Sequence, residues 1–183
     1  MTVLDFDDFR RENSRLDLLD ELKRRVTDLK VTLFTIPMSS CGWMAHMNWL
    51  AQVREERPWI ELAMHGLHHD YLECSHWDQP RSLTHLLAVE ETGIFVPGFK
   101  APYWETSPGL YAALIERNWW IADHPKNISK RPAGLRVYEL DRSERVHGHI
   151  QNVCGNGLEE KFEYYTSLKG PFQFVSEVMC TIS

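Results

Sequence analysis

The feature that most constrains this chain is a regular alternation between short β-rich runs and longer runs of helical period. "TVLDF", "KVTLFTIP", "WIELAMHG", "IFVPGFKAP", "WWIAD", "LRVYEL" and "RVHGHI" read as strands. Between them stand "SRLDLLDELKRRVTDL", "WMAHMNWLAQVREE", "SLTHLLAVEETG" and "SPGLYAALIERN". In the first of these, Leu16, Leu19, Leu22, Val26 and Leu29 recur at helical spacing, with Asn13 or Ser14 as the expected N-cap. Gly93 closes the third, and the fourth opens on Ser107 as cap with Pro108 in its first turn. Strands separated by helices pair in parallel through right-handed crossovers, which makes this an α/β chain. Further on, "GLEEKFEYYTSL" predicts a helix, "FQFVSEV" a final β-rich element, and "HPKNISKRPAG" a mobile polar loop.

The 183 residues suit one domain spanning the whole chain. Lys and Arg number 20 against 26 Asp and Glu, a net charge of -6 that argues against a nucleic-acid partner. No apolar run approaches the ~18 residues of a membrane span, and "MTVLDFDDFRREN" lacks a basic segment followed by an apolar one. The expectation is a soluble cytoplasmic protein with no membrane partner. Cys41, Cys74, Cys154 and Cys180 show no CxxC spacing, so free thiols are expected.

In parallel α/β sheets functional groups collect at the carboxyl edge of the strands. There the sequence places "DFDD", "HGLHH", "KAPYW", "ADH" and "HGH", nearly all of its clustered carboxylates and histidines. Asp8 or Asp7 with His65 and His69 makes a two-histidine, one-carboxylate set suited to a divalent transition metal. Four-residue spacing brings His65 and His69 together if the segment makes a helical turn, with His68 pointing elsewhere. The other carboxylate of the Asp7–Asp8 pair is then a candidate general base, and a histidine of "VHGH", His147 or His149, a candidate acid. These parts describe metal-assisted hydrolysis of an amide or ester.

In their order, "DFDD", "HGLHH", "KAPY", "WWIAD" and "RVH" resemble the motifs of the polysaccharide deacetylase family of metal-dependent carbohydrate esterases. The resemblance spans about residues 3 to 150 and rests chiefly on the first three motifs. It implies a distorted (β/α) barrel of parallel strands, trimmed at its periphery because the chain is short. It also implies Asp7 as general base, Asp8, His65 and His69 as metal ligands, the Tyr103 N–H as an oxyanion donor, and His147, held near Asp123, as general acid. One divalent ion is implied, zinc first, with cobalt, nickel, manganese or iron as alternatives, and a glycan or small-molecule N- or O-acetyl substrate. Trp104, Trp119 and Trp120 are candidates for a sugar-stacking wall or for the core.

The chain departs from the family pattern at three positions. Asp5 stands where threonine is usual, Gly66 where a hydroxyl residue is usual, and Lys100 where arginine is usual. Lys100 replaces a planar two-pronged contact to the base with a point charge, and His149 competes with His147 for the role of acid. Two other readings therefore stay beside deacetylation: an idle metal- or carbohydrate-binding module, and an amidohydrolase acting on a non-sugar amide.

Overall fold

The computed structural model describes residues 1–153 and 155–181, so Cys154 lies outside the described residues. Seven strands form one sheet: β1 (Val3–Phe9), β2 (Val31–Thr35), β3 (Ile60–His65), β4 (Gly98–Lys100), β5 (Trp120–Asp123), β6 (Arg136–Glu139) and β7 (Arg145–His149). Their order is β6-β5-β4-β3-β2-β1-β7 and every pairing is parallel. The sheet curls into a distorted half-barrel, open between β6 and β7.

Side-chain alternation sorts each strand onto two faces. Leu4, Phe6, Leu33 and Leu62 face outward and pack with Leu19 and Leu22 of α1 (Leu16–Arg25) and Leu50 and Val53 of α2 (Trp43–Glu56). Met64, Phe99 and Ile121 do the same with α3 (Gln79–Glu90) and α4 (Pro108–Glu116). A short helix α5 (Phe162–Ser167) adds Tyr165 edge-on against Phe6, with ring centroids 4.9 Å apart. Ser107 caps α4 as expected, its hydroxyl accepting from the Leu110 N–H at 3.0 Å. The expected cap of α1 does not form: Arg15, at φ 44°, precedes Leu16 with no side-chain cap.

The inner face carries Val3, Phe34, Ala63, Trp120, Ala122 and Tyr138, and its apolar half is filled by α6 (Val175–Thr181) through Val175, Val178 and Met179. This corrects the β-rich reading of "FQFVSEV". The β propensity of those residues is overridden because the sheet itself caps a helix there. The Thr32 hydroxyl accepts from the Val175 N–H at 3.0 Å and donates to Glu61 at 2.6 Å. Glu61 also accepts from the Ser176 N–H at 3.1 Å and from the Ser176 hydroxyl. The polar loop read as mobile is likewise tied down: Asn127 is buried, and Arg131 bonds Asp123 and Glu139 at 3.0 and 2.5 Å. Cys41, Cys74 and Cys180 are free thiols, and among the described residues no helix is long and apolar enough to cross a membrane.

Burial raises the Glu61 carboxyl above its ordinary value, against the opposing pull of Ser176 and Thr32. A carboxyl with a raised folded value contributes its full stability below the unfolded value, and that contribution fades as pH rises through the folded one. Glu61→Gln should therefore match the native chain near pH 4 and exceed its stability near pH 8, whereas Glu61→Ala, which leaves the α6 cap unpaired, should cost about 1–3 kcal/mol at both. Denaturant unfolding at the two pH values measures this.

Candidate metal centre and proton-transfer groups

The carboxyl edge of β1 presents two consecutive carboxylates that a regular strand would send to opposite faces. Asp5 and Asp7 face inward by alternation, whereas Asp8 should follow Phe6 outward. The β1–β2 register breaks between Phe6 and Phe9, and Asp8 takes φ 67°. Aspartate tolerates that left-handed conformation better than most residues, and the turn brings Asp8 to the same edge as Asp7.

His65 ends β3 and is followed by Gly66 at φ 60°, where an added Cβ would meet a Glu73 oxygen at 2.6 Å and Pro102 Cγ at 2.7 Å. A side chain at this position is excluded twice, by conformation and by space. The loop is therefore not the helical turn expected. Instead the Glu73 carboxylate accepts the N–H groups of Leu67, His68 and His69 at 3.0, 2.9 and 3.0 Å and folds the segment around itself. His69, at φ 67°, then turns back toward His65, with ring centroids 4.9 Å apart, while His68 is exposed on the cavity wall.

These turns bring one ligand atom from each of Asp8, His65 and His69 within 4.8 Å of one another. The His65 Nδ1–H donates to the Lys100 carbonyl at 2.9 Å, which leaves its Nε2 lone pair facing Asp8. Asp8 Oδ1 stands 3.6 Å from His65 Nε2 and 3.0 Å from His69 Nε2, yet it is buried and accepts no hydrogen bond. A buried carboxylate oxygen without a donor is costly. Aimed at two imidazole nitrogens, it has the donor chemistry of a divalent transition-metal site, so the residues fit the ion that the sequence implies.

Asp7 lies beside this set, with Oδ2 3.9 Å from His65 Nε2. Its Oδ1 accepts from Lys100 Nζ at 2.6 Å, and that ammonium is also 3.5 Å from Asp5. Lys100 is fully buried between the rings of Phe34 and Trp104, each 4.6 Å from the nitrogen. Arg145 grips Asp5 in a two-pronged contact at 2.6 and 2.9 Å, and His147 Nδ1 bonds Asp5 at 2.7 Å. The bidentate guanidinium missing at position 100 thus exists one carboxylate away.

Burial pushes the Asp7 carboxyl up, but Lys100, His147 and His65 together hold it below the ordinary range, so Asp7 is a carboxylate. Asp5 is likewise held well below that range, because Arg145 and Lys100 outweigh its burial. Burial and the neighbouring Lys100 charge lower His147, against the pull of Asp5 and Asp7. His147 Nε2 is 3.7 Å and His149 Nε2 4.0 Å from Asp7 Oδ2.

Asp123 is not near His147. It shares parity with Ile121 and points to the outer face, where it accepts from Tyr111 and Asn127 at 3.0 and 2.7 Å and pairs with Arg131. Asp5 holds His147 instead. Trp119 and Trp120 are core residues, whereas Trp104 and Tyr103 line an open cavity of about 650 Å3 together with Asp7, Asp8, His65 and His69. Glu73 and Asn156, whose Oδ1 bonds His149 Nδ1 at 2.8 Å, carry no motif signal in the sequence, and Arg145 enters it only as the first residue of "RVH". The five-residue register of β1 on β7 sets Asp5 opposite His147 and Asp7 opposite His149.

No family model matches the sequence, and no curated protein matches it either. Solved structures do. The chitin deacetylase of the fungal pathogen Colletotrichum lindemuthianum superposes with a TM-score of 0.63 at 18% identity, covering 96% of this chain and 85% of that one. A family 4 acetyl xylan esterase from Clostridium thermocellum, in complex with a cobalt ion, gives 0.62 at 14% identity over 99% and 90%. A CE4 family pseudoenzyme from Bacillus anthracis gives 0.63 at 10% identity over 98% and 65%. The chain has the fold of the CE4 polysaccharide deacetylases.

After dialysis against metal-free buffer, purified protein should retain a tightly held divalent ion that the His65→Ala/His69→Ala variant loses, by elemental analysis; equal and negligible metal in both would remove the site. Replacing Lys100 by Met leaves Asp7 buried without its cation and should cost about 3–5 kcal/mol in denaturant unfolding.

Proposed function

We propose that the protein is a metal-dependent hydrolase that removes an N-acetyl, or O-acetyl, group from a sugar or glycan, acting on a carbon–nitrogen bond other than a peptide bond in the first case. The observation that carries this reading is the convergence of Asp8, His65 and His69 on one point in the wall of an open cavity, with the Asp7 carboxylate beside them and the His147 imidazole 3.7 Å from that carboxylate. The fold shared with chitin deacetylase and acetyl xylan esterase supports the acetyl substrate.

A divalent ion held there, zinc in first place, supplies Lewis acidity that polarises the acetyl carbonyl and acidifies water. Asp7 takes the proton from the attacking water at its Oδ2, since Oδ1 is engaged by Lys100. Lys100 keeps Asp7 ionised until that moment. The Tyr103 N–H donates to the oxygen on which charge develops. His147 in its imidazolium form gives the Nε2 proton to the leaving nitrogen or oxygen, and the proton taken up by Asp7 Oδ2, 3.7 Å away, restores it. Asp5 behind its Nδ1 fixes the tautomer and stabilises the imidazolium, as the carboxylate does in an Asp–His pair. His149, backed only by the neutral Asn156 amide, is the weaker candidate for that step. Trp104 and Tyr103, the latter edge-on to the exposed Tyr71 at 5.4 Å, offer aromatic faces to a sugar ring.

A second reading, an idle metal- or carbohydrate-binding module, is supported by the pseudoenzyme among the similar structures and by the single contact of Lys100 to the base. Acetate release from a panel of N- and O-acetylated sugars and non-sugar amides, with zinc or cobalt present, separates the two. Asp7→Asn and His147→Ala should each lower turnover by about 10^2–10^4-fold. No release from any substrate, or release indifferent to Asp7→Asn, would overturn the hydrolase in favour of the binding module.

A further inference from the structure

A second set of ligand atoms lies where β7 meets Asp7, and Asp7 and His149 of this set line the same cavity. His147 and His149 stand two apart on that strand and so share its inner face, with ring centroids 5.0 Å apart. Gly148 between them faces outward, where an added Cβ would strike Tyr165 at 2.2 Å and Phe6 at 2.7 Å, so the strand lies close against the core and its two imidazoles are held by a tightly packed backbone. Each ring has its Nδ1 committed to an oxygen: His147 to Asp5 at 2.7 Å, His149 to Asn156 at 2.8 Å. Asn156 is itself fixed, its carbonyl accepting from the His149 N–H at 3.2 Å and from the Tyr165 hydroxyl at 2.8 Å. An imidazole that donates through Nδ1 to a carboxylate or an amide oxygen presents a bare Nε2, the arrangement that outer groups impose on metal-ligating histidines.

Both bare nitrogens face Asp7 Oδ2, at 3.7 and 4.0 Å, and the three atoms lie within 4.8 Å of one another. We propose that Asp7, His147 and His149 form a second divalent transition-metal site, weaker than the one at Asp8, His65 and His69, whose loading inhibits the protein. The weakness follows from charge. Lys100 Nζ sits 2.6 Å from the other oxygen of Asp7, and His65 Nε2, a ligand atom of the first site, is 3.9 Å from Asp7 Oδ2. An ion entering second therefore meets an ammonium and another cation at short range in a poorly screened site. The inhibition rests on the function proposed above, because an ion here occupies the base and the acid at once. The existence of the site does not rest on it.

The test is equilibrium dialysis of the chelator-stripped full chain against graded zinc, with bound metal counted by elemental analysis. The native chain should take up two equivalents, the second with at least tenfold weaker affinity. His149→Ala and His149→Gln should take up one, and His65→Ala/His69→Ala should keep one. A single equivalent in the native chain, or two in a folded His149 variant, would overturn the second site whether or not any acetyl substrate is found. Where acetate release is measurable, zinc beyond one equivalent should inhibit the native chain, and the inhibition should weaken at least tenfold relative to each variant's own maximum in His149→Gln. Inhibition unchanged by that substitution would overturn the regulatory part.

Discussion

The buried pair of Lys100 and Asp7 is the contact on which the inner face of this half-barrel depends. Lys100 is fully buried, and moving an ammonium out of water costs several kcal/mol unless partners return it. Burial alone drives its pKa down, and the Asp7 and Asp5 carboxylates oppose that. Two carboxylates, one ammonium and the Arg145 guanidinium balance charge across β1, β4 and β7, three strands that otherwise share no single helix or loop. The same balance that makes the cluster tolerable keeps Asp7 ionised and His147 oriented. Strand packing and the placement of the candidate site draw on one set of contacts, so Asp7 and His147 cannot be rearranged without disturbing that packing.

Most of the architecture was legible in the sequence because period and turn chemistry agree along the chain. The strands, α2 from Trp43 to Glu56 and the Ser107 cap of α4 all fall where the pattern places them. The failures share a cause: tertiary context overriding local preference. "FQFVSEV" reads as strand from its β-branched and aromatic residues, but Thr32 and Glu61, far away in the chain, cap it as a helix. The polar loop after β5 looks mobile by composition, yet Arg131 and Asn127 anchor it to Asp123.

The site shows the same division. Asp8, His65 and His69 announce themselves by residue type and position, and the structure brings them together. The resemblance to the deacetylase motifs implied Asp123 as a partner of His147. Parity decides otherwise, since a residue two from Ile121 must share its outward face. The groups that replace it, Asp5 and Arg145, are invisible in one dimension because only strand register opposes Asp5 to His147. Gly66, which looked like the loss of an orienting hydroxyl, is what lets the Glu73 carboxylate approach and hold the histidine loop by three N–H groups. Asp5 and Gly66, which depart from the motifs, each meet a neighbour that fits them, Arg145 and Glu73.

The left-handed turn at Asp8 has one more consequence. Asp7 and Asp8 are consecutive, so their Cα atoms are fixed about 3.8 Å apart by the peptide bond itself. A fluctuation that opens the cavity walls changes the reach of the histidines, which arrive from other strands and loops, but it leaves the Cα spacing of these two aspartates unchanged. The two aspartates are joined by covalent geometry at the backbone, whereas the histidines beside them are held in place by packing and hydrogen bonds alone.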